Sequence, residues 1–414
     1  MANHQSSPAG FVQDGQGQAI GMPAGEPLRH AHAIGRARIL FPFADRPRSV
    51  GGSHISAGAL IENIDRDRFE PTVLLLNEPG ALTEFFAEKG VRTKRMPGGL
   101  VNTGSVPGMI GAIARAARYL SNERFDFVHT NEGAMHAMWG IAARLTGTRQ
   151  IWHHRGNPGA KGVSWLAPVT AAKVLTVSRY AAPSPGVYSA AGRVTVAHSP
   201  FDLSLADMDR DECRADALAE LDVPYDTKLI GYFGHFSERK RPVLFIETLA
   251  ELKKANPGQR ILGLMFGEEH DRGMLARMTA AIERHGLQDS IRLMGFRKPA
   301  TPWMAACDAT LVTAVEEPFG RTLIEAMLLG TPVVAAASGG NLEAIEDGST
   351  GLLATADDPA ALADAMSRML GDHELAWAIS DTARKDALAR FGVETHVRTV
   401  QAVYDALLHT GRAA

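Results

Sequence analysis

The 414-residue chain has few cysteines, little net charge and no long apolar run. Its two cysteines, Cys213 and Cys307, are too few for a disulfide framework or a cysteine-based zinc site, which favours a reducing compartment. The 43 basic residues nearly balance the 46 acidic ones, giving a net charge of −3. The protein therefore lacks the overall basic charge by which a surface binds nucleic acid, and no nucleic-acid partner is expected. Because no stretch of about 18 consecutive apolar residues occurs, no membrane-spanning helix is expected.

What remains is enough for folded domains, since 45% of the residues are hydrophobic. At about 150 residues per domain, the length predicts two or three of them. The first 36 residues are rich in Gln, Gly, Pro, Ser and His, and they lack the apolar segment of a secretory signal. We therefore expect a disordered tail over residues 1–36 and a cytoplasmic location.

After the tail, short strands rich in Val, Ile and Leu alternate with helical stretches. An acid-rich segment, residues 203–227, interrupts the alternation, which restarts with a strand at Leu229 to Gly234. Apolar strands between helices are typical of parallel sheets covered on both faces. The sequence therefore predicts an α/β fold with two doubly wound, Rossmann-like domains, and a ligand cleft where the carboxyl ends of their strands meet.

A turn followed by a short helix lies between Glu316 and Pro332, where the sequence reads EEPFGRTLIEAMLLGTP. Pro318 and Gly320 form the turn, and Thr322 to Leu329 is predicted to be the helix. The first amides of a helix have no internal partner and carry the positive end of its dipole. Backbone groups at Gly320, Arg321 and Thr322 are therefore candidates for holding a diphosphate.

Two glutamates flank this helix start. Glu325 lies about one turn into the helix, where a carboxylate can accept hydrogen bonds from sugar hydroxyls. Glu317, on the loop, is placed to face what lies beyond the phosphates. The alternative is ordinary turn chemistry, with acids favoured near a helix start.

Three consecutive cations follow a strand and a glycine in the segment GYFGHFSERKRP, residues 231–242. Lys240 with Arg239 or Arg241 is predicted to face the same cleft. Cations there would stabilise the negative charge of a leaving diphosphate. A solvated, charged turn is the alternative.

Together these motifs resemble the large family 4 of retaining glycosyltransferases, the glycosyl transferases group 1, which have the GT-B architecture. The resemblance rests on EPFGRTLIEAM at 317–327 and continues through TPVVA at 331–335, GGNLE at 339–343 and DGSTGLL at 347–353. It extends from about Leu229 to Leu370 and is looser over residues 38–202.

The resemblance implies roles for matching residues. Glu325 would contact the ribose of a nucleotide, Glu317 the transferred sugar, and Lys240 the diphosphate. His235 stands where relatives usually have an arginine that also contacts the diphosphate, and Arg239 or Arg241 is an alternative for that contact. The turn from Phe319 to Thr322 would line the donor site.

In the first half of the chain, Gly51 and Gly52 resemble the family's glycine loop, where phosphates or acceptor approach the backbone. His154, at the end of a strand, resembles a family histidine assigned to catalysis. Asn131 replaces a second family histidine. A simple turn and a packed histidine are the alternative interpretations of these segments.

The resemblance also sets the expected organisation. The first, acceptor domain would span residues 37–205 and be joined by a C-terminal helix, 394–414, whereas the second, donor domain would span 206–393. Two Asp-x-Asp segments, 65–67 and 209–211, lie outside the predicted cleft, and the resemblance implies that cations and helix amides stabilise the leaving group. We therefore expect no metal and no cofactor, the nucleotide sugar being a co-substrate.

The predicted function is transfer of a sugar, with retention, from a nucleotide-diphosphate donor to a hydroxyl of a glycan or lipid-linked acceptor. Surface polysaccharide or lipopolysaccharide synthesis is the expected context, with peripheral membrane contact at most. The alternatives are a nucleotide-sugar 2-epimerase and a non-catalytic nucleotide-sugar-binding subunit.

Overall fold

A computed structural model describes residues 35–46, 50–96 and 105–410. The predicted tail lies outside these ranges except for Gly35 and Arg36. The described chain from Ala37 onward forms one compact unit that contains two parallel β-sheets.

The first sheet has seven strands in the order β3-β2-β1-β4-β5-β6-β7. They are β1 (Ala37–Ala44), β2 (Phe69–Leu76), β3 (Thr93–Arg95), β4 (Phe127–Thr130), β5 (Arg149–His154), β6 (Ala171–Thr176) and β7 (Val194–Val196). The helices between them are α1 (Gly52–Asn63), α2 (Ala81–Glu88), α3 (Val106–Glu123), α4 (Gly133–Thr146) and α5 (Ala167–Thr170). One face of the sheet packs against α1 and α2, and the other against α3 and α4.

The second sheet has six strands in the order β10-β9-β8-β11-β12-β13. They are β8 (Lys228–Phe233), β9 (Ile261–Phe266), β10 (Ile291–Gly295), β11 (Ala309–Val312), β12 (Val333–Ala336) and β13 (Leu352–Ala354). The helices are α6 (Arg210–Leu221), α7 (Pro242–Ala255), α8 (Met274–His285), α9 (Thr301–Ala306), α10 (Arg321–Leu328), α11 (Asn341–Ala344), α12 (Pro359–Gly371) and α13 (His373–Arg390).

The last helix, α14 (Val393–Thr410), returns to the first sheet. Its Val400 and Tyr404 are fully buried, and the Tyr404 ring packs on those of Phe69 and Phe127. The chain thus crosses back from the second sheet to the first through a helix with one apolar face.

The fold class predicted from the sequence is confirmed, because every described strand pair is parallel and helices separate the strands. The acid-rich segment differs from the prediction. It is predicted only to interrupt the alternation, but it contains helix α6, whose start Asp209 caps by accepting hydrogen bonds from the amides of Asp211 and Glu212. One side of α6, including Ala217 and Leu218, packs into the second domain. The domain boundaries at 205/206 and 393/394 stay predictions.

The described helices were also searched for membrane spans. None of them is both long enough and apolar enough to cross a bilayer.

Candidate functional site

The candidate site lies at the carboxyl ends of β8 and β11. The chain leaves β8 through a glycine and a short 3₁₀ turn, Glu238–Lys240, and leaves β11 through the loop that leads into α10. Two hydrogen bonds to backbone carbonyls join these segments. Val315 donates its N–H to the carbonyl of Arg239, and Thr313 donates its hydroxyl to the carbonyl of Lys240. The two motifs predicted to share a cleft are therefore neighbours.

The predicted cation and the predicted sugar-orienting acid are in direct contact. Lys240 Nζ is 2.9 Å from Oε2 of Glu317, and Arg239 Nη1 donates to the same oxygen at 2.5 Å. No hydrogen bond within the described part of the chain reaches the second oxygen, Oε1. Glu317 therefore uses one carboxylate oxygen on the two cations and retains the other as an acceptor.

The charge state of Glu317 follows from this environment. Burial alone would raise the pKa of its carboxyl, but the charges and hydrogen bonds of Lys240 and Arg239 outweigh burial and leave the pKa below its ordinary value. Glu317 is thus an anion at neutral pH, held in a largely buried position.

Two glycines of the downstream motif hold the Glu317 loop in place. Gly339 has φ +58°, and a Cβ there would lie 2.8 Å from the backbone nitrogen and oxygen of Glu317. Gly340 donates its N–H to the Glu317 carbonyl at 2.7 Å, and a Cβ there would lie 2.6 Å from the Pro318 carbonyl oxygen. Side chains at either position would push the loop away.

The start of α10 is the segment predicted to hold a diphosphate. Gly320 is the N-cap, and no side chain caps the helix. The Thr322 hydroxyl donates to the carbonyl of Phe233, which ties the helix start to the end of β8. Arg321 Nη2 lies 3.3 Å from Oε1 of Glu325, so this glutamate also has a basic side chain as its partner.

Two predicted site residues are not part of this cluster. His235 is exposed, and its ring lies beside that of His270, with centroids 5.7 Å apart; among the described residues it has no contact with Glu317. Phe319 is buried in an aromatic cluster with His198, Phe201 and Phe391. Its side chain therefore packs between the two predicted domains, and only its backbone belongs to the loop of the candidate site.

The glycine loop of the first domain is held by a histidine and a glutamate. Gly51 donates its N–H to Nδ1 of His54 at 3.0 Å, which leaves the proton of a neutral His54 on Nε2. Nε2 then donates to Glu132 at 3.1 Å, and Glu132 also accepts the N–H of Ala44.

His154 lies at the end of β5 and is largely buried. Its Nε2 lies 2.9 Å from the carbonyl oxygen of Asn157, so the ring is engaged by its own loop. Burial lowers the pKa of His154, although hydrogen bonds to Asn157 and Gly156 work in the opposite direction. The ring is neutral at pH 7, and the structure does not bring it into contact with Lys240 or Glu317.

Contacts between the halves bring the glycine loop to the start of α10. A Cβ on Gly52 would lie 3.1 Å from Cδ of Arg321, and the Arg321 guanidinium stacks 4.4 Å above the Phe201 ring. The Ser178 hydroxyl donates to the Pro318 carbonyl at 2.5 Å. Gly52, Arg321 and Glu325 are therefore close to one another.

The sequence did not predict the residues that hold the loops of the candidate site in place through packing and hydrogen bonds. Gly339 and Gly340 were noticed only as part of the resemblance, and His54 and Glu132 carried no signal apart from their place beside a glycine pair and a strand end. Within the described residues, no group of three or more His, Cys, Asp or Glu side chains could hold a metal ion. The absence of a metal requirement stays a prediction.

Two family models match the chain. The model described as glycosyl transferases group 1 matches residues 214–386, and the model described as glycosyl transferase 4-like domain matches residues 51–211. Together these matches span most of the chain and both sheets.

Curated relatives are similar at lower coverage. A D-inositol 3-phosphate glycosyltransferase of Corynebacterium jeikeium is 30% identical over 215 residues, 50% of this chain and 51% of the relative. The lipopolysaccharide core biosynthesis glycosyltransferase LpsE of Rhizobium meliloti is 29% identical over 176 residues, 42% of this chain and 49% of the relative. The chain spans about half the length of the curated relatives it matches.

Solved structures resemble the whole described fold. The crystal structure of HepE from Anabaena in complex with UDP has a TM-score of 0.75 at 22% identity, covering 89% of this chain and 100% of that one. Sucrose-phosphate synthase from Thermosynechococcus elongatus has a TM-score of 0.69 at 20% identity, covering 91% of this chain and 100% of that one. This likeness confirms the predicted GT-B arrangement of the fold.

Proposed function

Because the chain belongs to the glycosyl transferases group 1 family, we propose that it transfers a sugar from a nucleotide-diphosphate donor to a hydroxyl of a glycan or lipid-linked acceptor. The observation that carries the proposal is the cluster of Lys240, Arg239 and Glu317 beside the uncapped start of α10. Cations, free helix amides and carboxylates at the carboxyl edge of a parallel sheet suit a nucleotide sugar.

Each group has a role in the proposed reaction. The sugar–phosphate bond breaks as the acceptor oxygen bonds to the anomeric carbon, and negative charge develops on the diphosphate. Lys240 and the amides of Gly320, Arg321 and Thr322 stabilise that charge. Glu325 holds the ribose, and the unused oxygen of Glu317 accepts a hydrogen bond from a hydroxyl of the sugar.

We propose retention at the anomeric carbon. No further carboxylate is needed as a covalent nucleophile if the acceptor attacks the face that the diphosphate leaves, and the departing phosphate oxygen takes the acceptor proton. His154 is then a candidate for contact with the sugar or acceptor. The reaction as proposed uses no metal and no cofactor.

The relatives suggest the wider context. One curated relative is named for lipopolysaccharide core biosynthesis and others for inositol 3-phosphate, and a structural neighbour was crystallised with UDP. For this chain we propose a hexosyl donor and a role in surface polysaccharide or lipopolysaccharide synthesis at the cytoplasmic side of a membrane, with peripheral contact only.

A donor screen followed by an acceptor assay tests the proposal. Thermal unfolding with UDP-, GDP- and ADP-sugars identifies the donor, and release of the nucleoside diphosphate on adding acceptor reports transfer. A 2-epimerase would interconvert donors without acceptor, and a binding subunit would be stabilised without release.

The Glu317→Gln variant should lose at least about 100-fold in transfer, because an interaction strengthened in the transition state is removed. Transfer within a few-fold of wild type would show that Glu317 has another role.

A further inference from the structure

Arg155 directly follows His154 at the end of β5, and its guanidinium has only weak partners. It donates to the Ser199 hydroxyl at 3.2 Å and to Nδ1 of His153 at 3.3 Å. Its Nε is buried and has no hydrogen-bond partner among the described residues. The residue as a whole is half-buried.

No acid compensates this charge within the described residues. Other guanidiniums of the molecule contact carboxylates: Arg95 contacts Asp45, Arg214 contacts Asp308 and Arg239 contacts Glu317. For Arg155 no Asp or Glu oxygen lies within 4.0 Å, and the charged group that acts on it most is another cation, Arg321. Arg155 is therefore a desolvated cation beside a second cation.

The surrounding imidazoles add no charge of either sign to this environment. His129, His153 and His396 all have their pKa lowered by burial, and the positive charge of Arg155 lowers it further. They are neutral at pH 7. Burial, with repulsion from Arg321, also lowers the pKa of Arg155 to about 9, which still leaves it protonated at neutral pH.

The position of Arg155 connects it to the candidate site. Arg155 reaches Ser199, and Arg321 reaches the carbonyl of the next residue, Pro200, at 3.5 Å. Arg321 also lies against Gly52 and is paired with Glu325. The two guanidiniums therefore approach one segment from the two halves of the molecule, and the one from the first domain lacks an anion.

We propose that Arg155 is an oxyanion-binding subsite for a phosphate-class group carried by a substrate. An uncompensated, desolvated charge destabilises the folded protein, and a planar guanidinium is suited to bind a phosphate through two parallel hydrogen bonds. The anion belongs either to the acceptor or to the donor diphosphate, and both sources present the same chemistry. The proposal deepens the proposed function and rests on it only for the identity of the substrate.

Inorganic phosphate is the probe that tests the subsite. Thermal unfolding and calorimetric titration are measured for the whole chain as wild type, Arg155→Met and Arg155→Lys, with Arg144→Met on the exposed end of α4 as the matched control. Phosphate should stabilise wild type and Arg144→Met equally. Its apparent affinity should fall about tenfold or more in Arg155→Met and by a smaller factor in Arg155→Lys, which keeps the charge but loses the fork.

The stability readout separates a binding arginine from a structural one. Without phosphate, Arg155→Met should unfold at the wild-type temperature or above it, because it removes an uncompensated charge. A lower unfolding temperature together with an unchanged phosphate response would overturn the proposal. If Arg155→Met does not fold, an Arg155→Lys response equal to wild type would overturn it as well.

Repeating the titration in saturating nucleoside diphosphate distinguishes the sources. A phosphate response that persists assigns the subsite to the acceptor, and one that disappears assigns it to the donor diphosphate. Absence of sugar transfer would count against the proposed function but would leave the phosphate result standing, so the two failures are distinguishable.

Discussion

The carboxyl edges of the two sheets both carry buried or half-buried acids, but the acids have different partners. On the first edge, Asp45 accepts hydrogen bonds from the amides of Gly80 and Leu82 and from the Thr83 hydroxyl, and Glu132 accepts from the amide of Ala44. On the second edge, the carboxylates of Glu317 and Glu325 have as polar partners, among the described residues, only the long side chains of Lys240, Arg239 and Arg321.

This difference separates fixed acids from exchangeable ones. Backbone amides cannot leave Asp45 unless α2 and its loop move, whereas a lysine or arginine side chain can rotate from a carboxylate to a phosphate. We therefore propose that acids of the same type at equivalent edges serve stability on one side and ligand exchange on the other. Arg155 is the exception on the first edge, because it is a cation without an acid.

The largest expected effect is on stability at the first edge. Asp45→Asn should lower the free energy of unfolding by about 3 kcal/mol, because an amide cannot accept all of the bonds that the buried carboxylate accepts. Denaturant unfolding measures the change. Asp381→Asn, an exposed acid paired with Lys385 on α13, is the control and should change stability by less than about 0.5 kcal/mol.

The effect of Asp45 should depend on pH with a defined sign. Burial would raise the pKa of Asp45, but hydrogen bonds from Thr83, Gly80, Leu82 and Arg95 outweigh it and set the pKa below its ordinary 3.8. A lowered acid pKa stabilises the fold above the unfolded-state pKa, and the contribution is lost as pH falls. The gap between wild type and Asp45→Asn should be constant from about pH 7 to 5 and shrink below about pH 4. A gap that widens in acid would contradict this account.

The next largest effect is on nucleotide binding at the second edge. Lys240→Met should weaken binding of the preferred nucleoside diphosphate about 30-fold, since a charge-assisted hydrogen bond to phosphate is lost. Arg239 remains on Glu317, so the unfolding temperature should fall by no more than about 4 °C. Calorimetric titration measures the affinity, and Lys254→Met, on the exposed end of α7, is the matched control. Equal affinities of the two variants for the nucleoside diphosphate would show that Lys240 does not bind the nucleotide.

A smaller effect should distinguish the ribose contact. Glu325→Gln should weaken binding of the ribonucleoside diphosphate about tenfold and leave the 2′,3′-dideoxy analogue little changed. Wild type should therefore prefer the ribonucleotide, and the variant should lose that preference. A variant that keeps the preference would show that another group holds the ribose.

The sequence predicted the strands well where apolar runs are bounded by polar turns. It predicts a strand over Ile261–Phe266, a helix over Met274–His285 and a strand over Ile291–Gly295. These are the bounds of β9, α8 and β10, because Gly and charged residues flank each of them. The sequence predicts an interruption rather than a helix at α6, because its charged sequence, RDECRADALAEL, buries only Ala217 and Leu218 among its twelve residues. Helix α4 has small and apolar residues on most sides, so its apolar residues do not recur with a clear helical period, and the sequence gives little sign of the helix.

The sequence named the residues of the candidate site but did not predict the contacts between them. Motif spacing brought out Lys240, Glu317, Gly320 and Glu325, because each lies next to a strand end or helix start. The pairing of Lys240 with Glu317 depends on how two loops meet, and the lack of an acid beside Arg155 depends on every segment packed around it. Neither property is local, so neither can be read from the chain.

The central claim is that Glu317 and the donor diphosphate exchange places on Lys240. Titrating Glu317→Gln with the preferred nucleoside diphosphate tests it most directly, alongside Lys240→Met. We expect Glu317→Gln to bind about threefold more tightly than wild type, since the competing carboxylate is gone, while Lys240→Met binds more weakly. Weaker binding by Glu317→Gln, similar to that of Lys240→Met, would contradict the exchange and show that the two residues hold the nucleotide as a fixed pair.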